Sequence, residues 1–152
     1  MLFRSPSDAA VRAWTRLVRA HRAALGTVDA RLKAAGLPGL DWYDALLELE
    51  RSGAKGLRPF ELQKQLLFAQ YNLSRLVDRL DAAGHVVRKA SAADGRGQVL
   101  TITASGRALR RRMWPVYAQA IEDAVGRHLT ESEAGRLGEL LAKLYERQAA
   151  SL

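Results

Sequence analysis

The sequence predicts a mostly α fold with one small β-hairpin, and three observations carry that prediction. Apolar residues recur at spacings of three and four through most of the 152 residues. The period changes to two only between residues 85 and 103, on either side of a glycine-containing turn. Capping residues punctuate the chain in the order helix, helix, helix, helix, hairpin, helix, helix.

Each element has its own signal. Ser5-Pro6-Ser7-Asp8 reads as a helix start, with Ser5 as N-cap, Pro6 at the first helical position and Asp8 in the first turn. Val11, Trp14, Val18, His21, Leu25, Val28 and Leu32 then form one stripe of a long helix that stops at Gly36 and Pro38. Asp41 is placed to cap a second helix, which turns Trp42, Ala45, Leu46 and Leu49 inward and ends at Gly53. Pro59 opens a short third helix holding Leu62 and Leu66. A fourth follows almost at once, with Leu73, Leu76, Val77 and Leu80 as its buried face and Gly84 as its C-terminal cap.

His85 to Lys89 and Val99 to Thr103 read as two short strands, with Leu100 and Ile102 on one face. Ala93-Asp94-Gly95-Arg96-Gly97 joins them as a hairpin turn, because glycine adopts positive φ without steric cost. Thr103 can cap a fifth helix running to about Gly126, with a kink expected at Pro115. Thr130 and Glu133 stand at capping-box spacing before a last helix striped by Leu137, Leu140, Leu141 and Leu144.

Composition narrows the function. At 48% hydrophobic residues the chain can bury an ordinary core without staples. No apolar run reaches membrane-spanning length and no signal-peptide stretch occupies residues 1–8, so a cytoplasmic location is expected. There is no cysteine, which excludes disulfides, thiolate metal sites and thiol redox sensing. His21, His85 and His128 are too scattered to suggest a local metal site, so neither metal nor other cofactor is expected. No nucleophile–base pair or phosphate-binding loop stands out, and an enzyme is not expected.

The net charge is +8, and its position is more informative than its size. Residues 58–112 hold 11 Lys/Arg against 4 Asp/Glu, whereas residues 1–57 hold 9 against 6 and residues 113–152 hold 4 against 6. The excess therefore sits in one block of the chain, and it favours a polyanionic partner.

That block has the layout of a winged helix-turn-helix: a short bracing helix, a tight turn, a second helix and a basic hairpin. A major groove admits one helix, whose inner face must be apolar and whose outer face must carry donors and acceptors matched to base edges. With Leu73, Leu76, Val77 and Leu80 inward, Gln70, Tyr71, Asn72, Ser74, Arg75 and Arg79 project outward. Gln and Asn can pair with adenine, Arg with guanine, and Ser or Tyr with phosphate. Arg88 and Lys89 flank the hairpin, and Arg96 at its tip can enter a minor groove, steadied by Asp94. Arg107, Arg110, Arg111 and Arg112 open the fifth helix; flanking phosphates or plain solvation both account for them.

The run from Leu76-Val77-Asp78-Arg79-Leu80 through Gly84 to Arg88, then Asp94-Gly95-Arg96, then Leu100-Thr101-Ile102-Thr103-Ala104-Ser105-Gly106, resembles the MarR (multiple antibiotic resistance regulator) family signature. The resemblance extends over essentially the whole chain. One departure is Phe68-Ala69-Gln70, where members of the family often open the recognition helix with a small hydroxyl residue. The resemblance implies a homodimer held by long N- and C-terminal helices (residues 1–36 and 113–152), with the winged helix-turn-helix in residues 41–112. It implies an inverted-repeat operator, more often repression than activation, and a small aromatic or phenolic effector in a cleft between the first, second and fifth helices. Trp14, His21, Trp42 and Tyr43 are the candidates to line that cleft, with Asp44 as a polar neighbour. Core packing is the favoured reading of Trp14 and Trp42, and a buried or dimer-interface role that of His21. The competing function is a basic architectural or RNA-binding protein without sequence choice, which would need only cations and wedges rather than Gln70, Asn72 and Arg75.

Overall fold

The structure, a computed structural model, describes residues 3–68, 72–91 and 97–150. Six helices and one two-stranded antiparallel hairpin follow in the expected order among these residues. They are α1 (Asp8–Ala34), α2 (Leu40–Ser52), α3 (Pro59–Gln65), α4 (Leu73–Ala82), β1 (Val86–Ala90), β2 (Gln98–Ile102), α5 (Ala104–Ala124) and α6 (Glu131–Ala150). Short 3₁₀ turns at Gly53–Lys55 and Gly126–His128 follow α2 and α5. The chain forms two compact units, one spanning Arg31–Tyr117 and the other built from the residues up to Ala30 with those from Ala118 onward.

The central unit holds the main apolar core. Leu46 and Leu49 of α2, Leu62 of α3, Leu80 of α4, Leu100 of β2 and Met113 of α5 are fully buried. The hairpin pairs Val86 with Ile102 and Ala90 with Gln98 at its two ends, so both strands sit one residue from their expected bounds. His85 and Thr103 are thereby released from the ladder to close its base: the Thr103 amide donates to the His85 carbonyl at 3.1 Å. Leu57 adds a third short rung, exchanging backbone hydrogen bonds with Leu100 at 3.0 and 2.8 Å. That approach requires glycine at 56, which has φ +70° and where any Cβ would collide with the Leu100 carbonyl.

Several local expectations shift. Helix α1 begins at Asp8, and it is Ser7, not Ser5, whose hydroxyl accepts the Ala10 amide at 3.1 Å, leaving Pro6 outside the helix. The N-cap of α2 is Gly39; the Asp41 carboxylate instead accepts the adjacent Trp42 amide at 3.0 Å. Helix α5 continues through Pro115 and ends at Ala124. The capping box of α6 is as expected, with Thr130 and Glu133 exchanging bonds at 2.9 and 3.1 Å. Those bonds hold the Glu133 carboxyl below its ordinary range.

In the terminal unit the stripe on α1 is only partly covered. Val28 is buried and Val18 and Leu25 are half-buried, but Val11 is 48% and Trp14 67% exposed, and His21 is exposed. The packing expected for Trp14 is thus not made among the described residues. On α6, Leu137, Leu140 and Leu144 are 40 to 50% exposed, so three of the four leucines of that stripe also lack full cover. One chain supplies fewer apolar partners here than its own helices present.

Candidate nucleic-acid interface

Helix α4 is amphipathic in the sense a reading helix requires. Leu76, Val77 and Leu80 are buried to 5% exposure or less, while Ser74, Arg75, Asp78 and Arg79 lie exposed on the other side. The helix starts later than expected, and Asn72 is the reason. Its backbone is extended, and its side-chain oxygen accepts the Arg75 amide at 3.1 Å. Asn72 therefore caps the helix, with its amide group left as a donor; Asn satisfies first-turn N–H groups as well as any residue. Gln70 and Tyr71 lie outside the described residues, as do Asp94 and Arg96 of the hairpin turn.

The hairpin follows α4 after one turn, and its cations divide. Lys89 is exposed. Arg88, expected on DNA, is half-buried and turned back onto α4, where its guanidinium pairs with Asp78 and lies 3.8 Å from Asp81. The i, i+3 spacing of Asp78 and Asp81 puts both carboxylates on the helix edge beside β1. In this arrangement Arg88 braces the wing against the reading helix.

The junction from wing to α5 is set by Thr103 and Gly106. Thr103 Oγ1 donates to the Gly84 carbonyl at 2.7 Å and accepts the Gly106 amide at 3.1 Å, as its predicted capping role requires. A Cβ on Gly106 would strike the His85 carbonyl. His85 Nδ1 lies 2.9 Å from Ser105 Oγ, which fixes the ring over this junction.

Behind the reading helix, α2 and α5 enclose an aromatic and ionic cluster. Tyr43 is buried, stacks on Trp114 at 6.1 Å and meets Tyr117 edge-on at 4.8 Å. Arg110 pairs with Glu50 and reaches the Tyr43 hydroxyl at 3.5 Å. The Glu50 bond, more than any other interaction, raises the Arg110 guanidinium above its ordinary pKa. Arg110 is thus a structural tie between α5 and α2, whereas Arg111 and Arg112 are exposed. Asp44, 3% exposed, accepts the Leu67 amide at 2.6 Å and so pins α2 to the turn after α3. Burial is the main cause that pushes its carboxyl up to about 6. Burial likewise raises the Tyr117 phenol, helped by the Asp44 charge.

The two ligand candidates of the central unit, Trp42 and Tyr43, point to different neighbours. Trp14 and His21 belong to the terminal unit, Tyr43 faces Trp114 and Tyr117, and Trp42 turns the other way, edge-on to His85 at 5.8 Å. A cleft of about 580 Å³ opens beside that histidine, lined by Leu37, Pro38, His85, Leu109, Arg112 and Val116. Sequence reasoning missed this cleft, because Leu37, His85 and Arg112 are far apart in the chain and form no pattern. It also missed Arg58, whose side chain reaches the wing.

A helix-turn-helix with an exposed polar reading face, followed at once by a braced basic hairpin, is the architecture of a DNA-binding winged-helix regulator. The MarR family profile matches residues 35–97, which span α2 to the wing. Over 95% of this chain and 91% of its own, the Streptomyces coelicolor MarR family transcriptional regulator Sco3205, solved in complex with DNA, is 28% identical with a TM-score of 0.83. The Bordetella bronchiseptica protein BpsR, solved in a study of how 6-hydroxynicotinic acid regulates its DNA binding, shares 22% identity and a TM-score of 0.78 over 92% and 97% of the two chains. A mutant Escherichia coli MarR complexed with operator DNA shares 22% identity and a TM-score of 0.76 over 93% and 99%. No curated protein matches the chain by sequence. Residues 35–97 thus match the MarR family, and nearly the whole chain has the fold of MarR family transcriptional regulators.

Proposed function

We propose that this regulator binds an inverted-repeat operator as a homodimer, most simply as a repressor, and that a small aromatic or phenolic molecule releases it. The observation that carries the reading is the outer face of α4: Ser74, Arg75 and Arg79 exposed over a fully apolar inner face, with Asn72 capping its start. Base edges are read by Gln70, Asn72 and Arg75, phosphates by Tyr71, Ser74, Arg79 and Lys89, and the minor groove by Arg96, oriented by Asp94. Arg88 joins this set as a brace rather than as a phosphate ligand. Two copies place their reading helices about one helical turn apart, roughly 10 bp between half-site centres. The uncovered stripes of α1 and α6 supply the surface that a second copy would bury.

The effector part of the reading draws on the regulation of BpsR by an aromatic acid. Trp42 adjoins the 580 Å³ cleft through its contact with His85, and Trp14, His21 and Tyr43 remain the other candidates. An effector can act only by binding one spacing of the reading helices better than another. No helix among the described residues is long and apolar enough to cross a membrane, and the proposed place of action is the cytoplasm, on the nucleoid when bound.

Selection of bound fragments from a random DNA pool tests the reading, followed by affinity for the selected site and for random DNA at one salt concentration. A specific regulator discriminates by roughly 10³–10⁷; a ratio below about tenfold would establish the architectural alternative instead.

A further inference from the structure

We propose that Arg58 is the positioning residue that sets the wing against the helix-turn-helix, so that both can engage one duplex. The inference rests on the DNA-binding reading above but concerns a residue outside its contact set. Arg58 occupies the N-cap of α3, with the extended backbone that position requires (φ −73°, ψ 153°). Helix starts favour Ser, Thr, Asp or Asn there, because a short side chain must accept a first-turn amide. An arginine has no acceptor to offer. Half of a capping box persists without it, since Glu61 Oε1 accepts the Arg58 amide at 3.0 Å.

The side chain is committed elsewhere. Its Nη2 donates to Ser91 Oγ at 3.2 Å, thirty-three residues away in sequence. Ser91 is 8% exposed and its amide donates to the Gly97 carbonyl at 3.2 Å, so this pair continues the ladder past Ala90 and Gln98 at the turn end of the wing. Gly97 itself, at φ +85°, lies beside Arg58 Nη1. The preceding residue, Leu57, is bonded in both directions to Leu100 in the middle of β2. Backbone at Leu57 and side chain at Arg58 thus grip the wing at two heights, which makes the start of α3 and the hairpin one body. Arg88 ties the same hairpin to α4 from the other strand. A wing held at two sides keeps its strands in one orientation to the reading helix, and preorganisation of that kind raises affinity without a contact of its own.

The test uses the full chain as Arg58→Ser, Ser91→Ala, the double variant and Arg58→Lys. Three quantities are read: the melting temperature, amide exchange of residues 86–102 in free protein, and affinity for the selected DNA site. Arg58→Ser should melt no lower than the parent, because serine restores a cap acceptor, while the Ser91 amide exchanges faster and affinity falls by roughly tenfold, the scale of one lost charge-assisted bond. Ser91→Ala should weaken binding in the same direction, and the double variant should be no worse than Arg58→Ser alone, as two ends of one interaction behave. Unchanged exchange in Arg58→Ser, additive losses in the double variant, or full affinity in Arg58→Lys would each overturn the proposal, the last by showing that only the charge matters. If the parent selects no DNA site, the regulator reading fails, whereas the exchange measurement still decides the brace.

Discussion

Arg75 and Asp44 show how differently two charged residues of the central unit behave. The Arg75 amide is held by the Asn72 cap, and its guanidinium is exposed one turn into α4. Arg75→Ala should leave stability nearly unchanged and weaken binding to the selected site by about 1–3 kcal/mol, with relaxed preference at one base pair. Parallel titrations against the selected site and its single-base variants measure this, and a uniform loss across all of them would make Arg75 a phosphate ligand. Asp44 works through folding instead. Its carboxyl is raised from 3.8 to about 6, so the native state binds the proton more tightly than the unfolded chain. Stability from this group is full below about pH 4 and is lost as the pH rises through 6. Asp44→Asn keeps an acceptor for the Leu67 amide but carries no charge to desolvate. It should therefore gain about 1–3 kcal/mol at pH 7.5, with the gain vanishing below about pH 4. Urea unfolding at both pH values checks the sign, and an Asn variant less stable at pH 7.5 would show that the ionised bond outweighs its burial.

At the scale of elements, the junctions hold more information than the helices. Gly106 faces the His85 carbonyl with no room for a methyl group, while Thr103 clasps both Gly84 and Gly106. Gly106→Val should displace α5 from the wing base and destabilise the central unit by about 2–4 kcal/mol, within the overpacking range and beyond. A melting curve matching the parent's would mean that the backbone yields freely at this point. The same junction was visible in the sequence as Leu100-Thr101-Ile102-Thr103 followed by Gly106, because period, cap and glycine all fall within seven residues. Amphipathic period likewise exposed α4, and capping chemistry exposed α6. What stayed hidden were the ties between distant positions: Arg58 to Ser91, Arg110 to Glu50, Asp44 to Leu67. An arginine in a basic block looks the same in sequence whether it meets a phosphate or a carboxylate, and Arg88 illustrates the second outcome. Asn72 carries two roles that the sequence alone does not separate, since the property that lets Asn read adenine also makes it a good helix cap.

At the scale of the whole molecule, the unsolved quantity is the apolar surface of the terminal unit. Trp14 at 67%, Leu140 at 42% and Leu144 at 50% exposure are more than scattered surface hydrophobes, since Leu140 and Leu144 share one face of α6 and Trp14 continues the stripe of α1. A second copy is the partner that the proposed inverted repeat demands, and linking two reading helices raises affinity by 10²–10⁴ through effective concentration, with no new DNA contact. Leu140→Gln with Leu144→Gln removes apolar area from that face without adding charge, so the electrostatics of the DNA surface stay as they were. The expected product is a folded monomer by sedimentation, with parental helix content. Its affinity for a full operator should be lower by about 10²–10⁴ and no better than its affinity for a single half-site. Since every DNA contact is intact in this variant, a loss of that size can come only from uncoupling two copies. A variant that remains dimeric would place the interface elsewhere, and a monomer with parental operator affinity would mean that one chain reads its site alone.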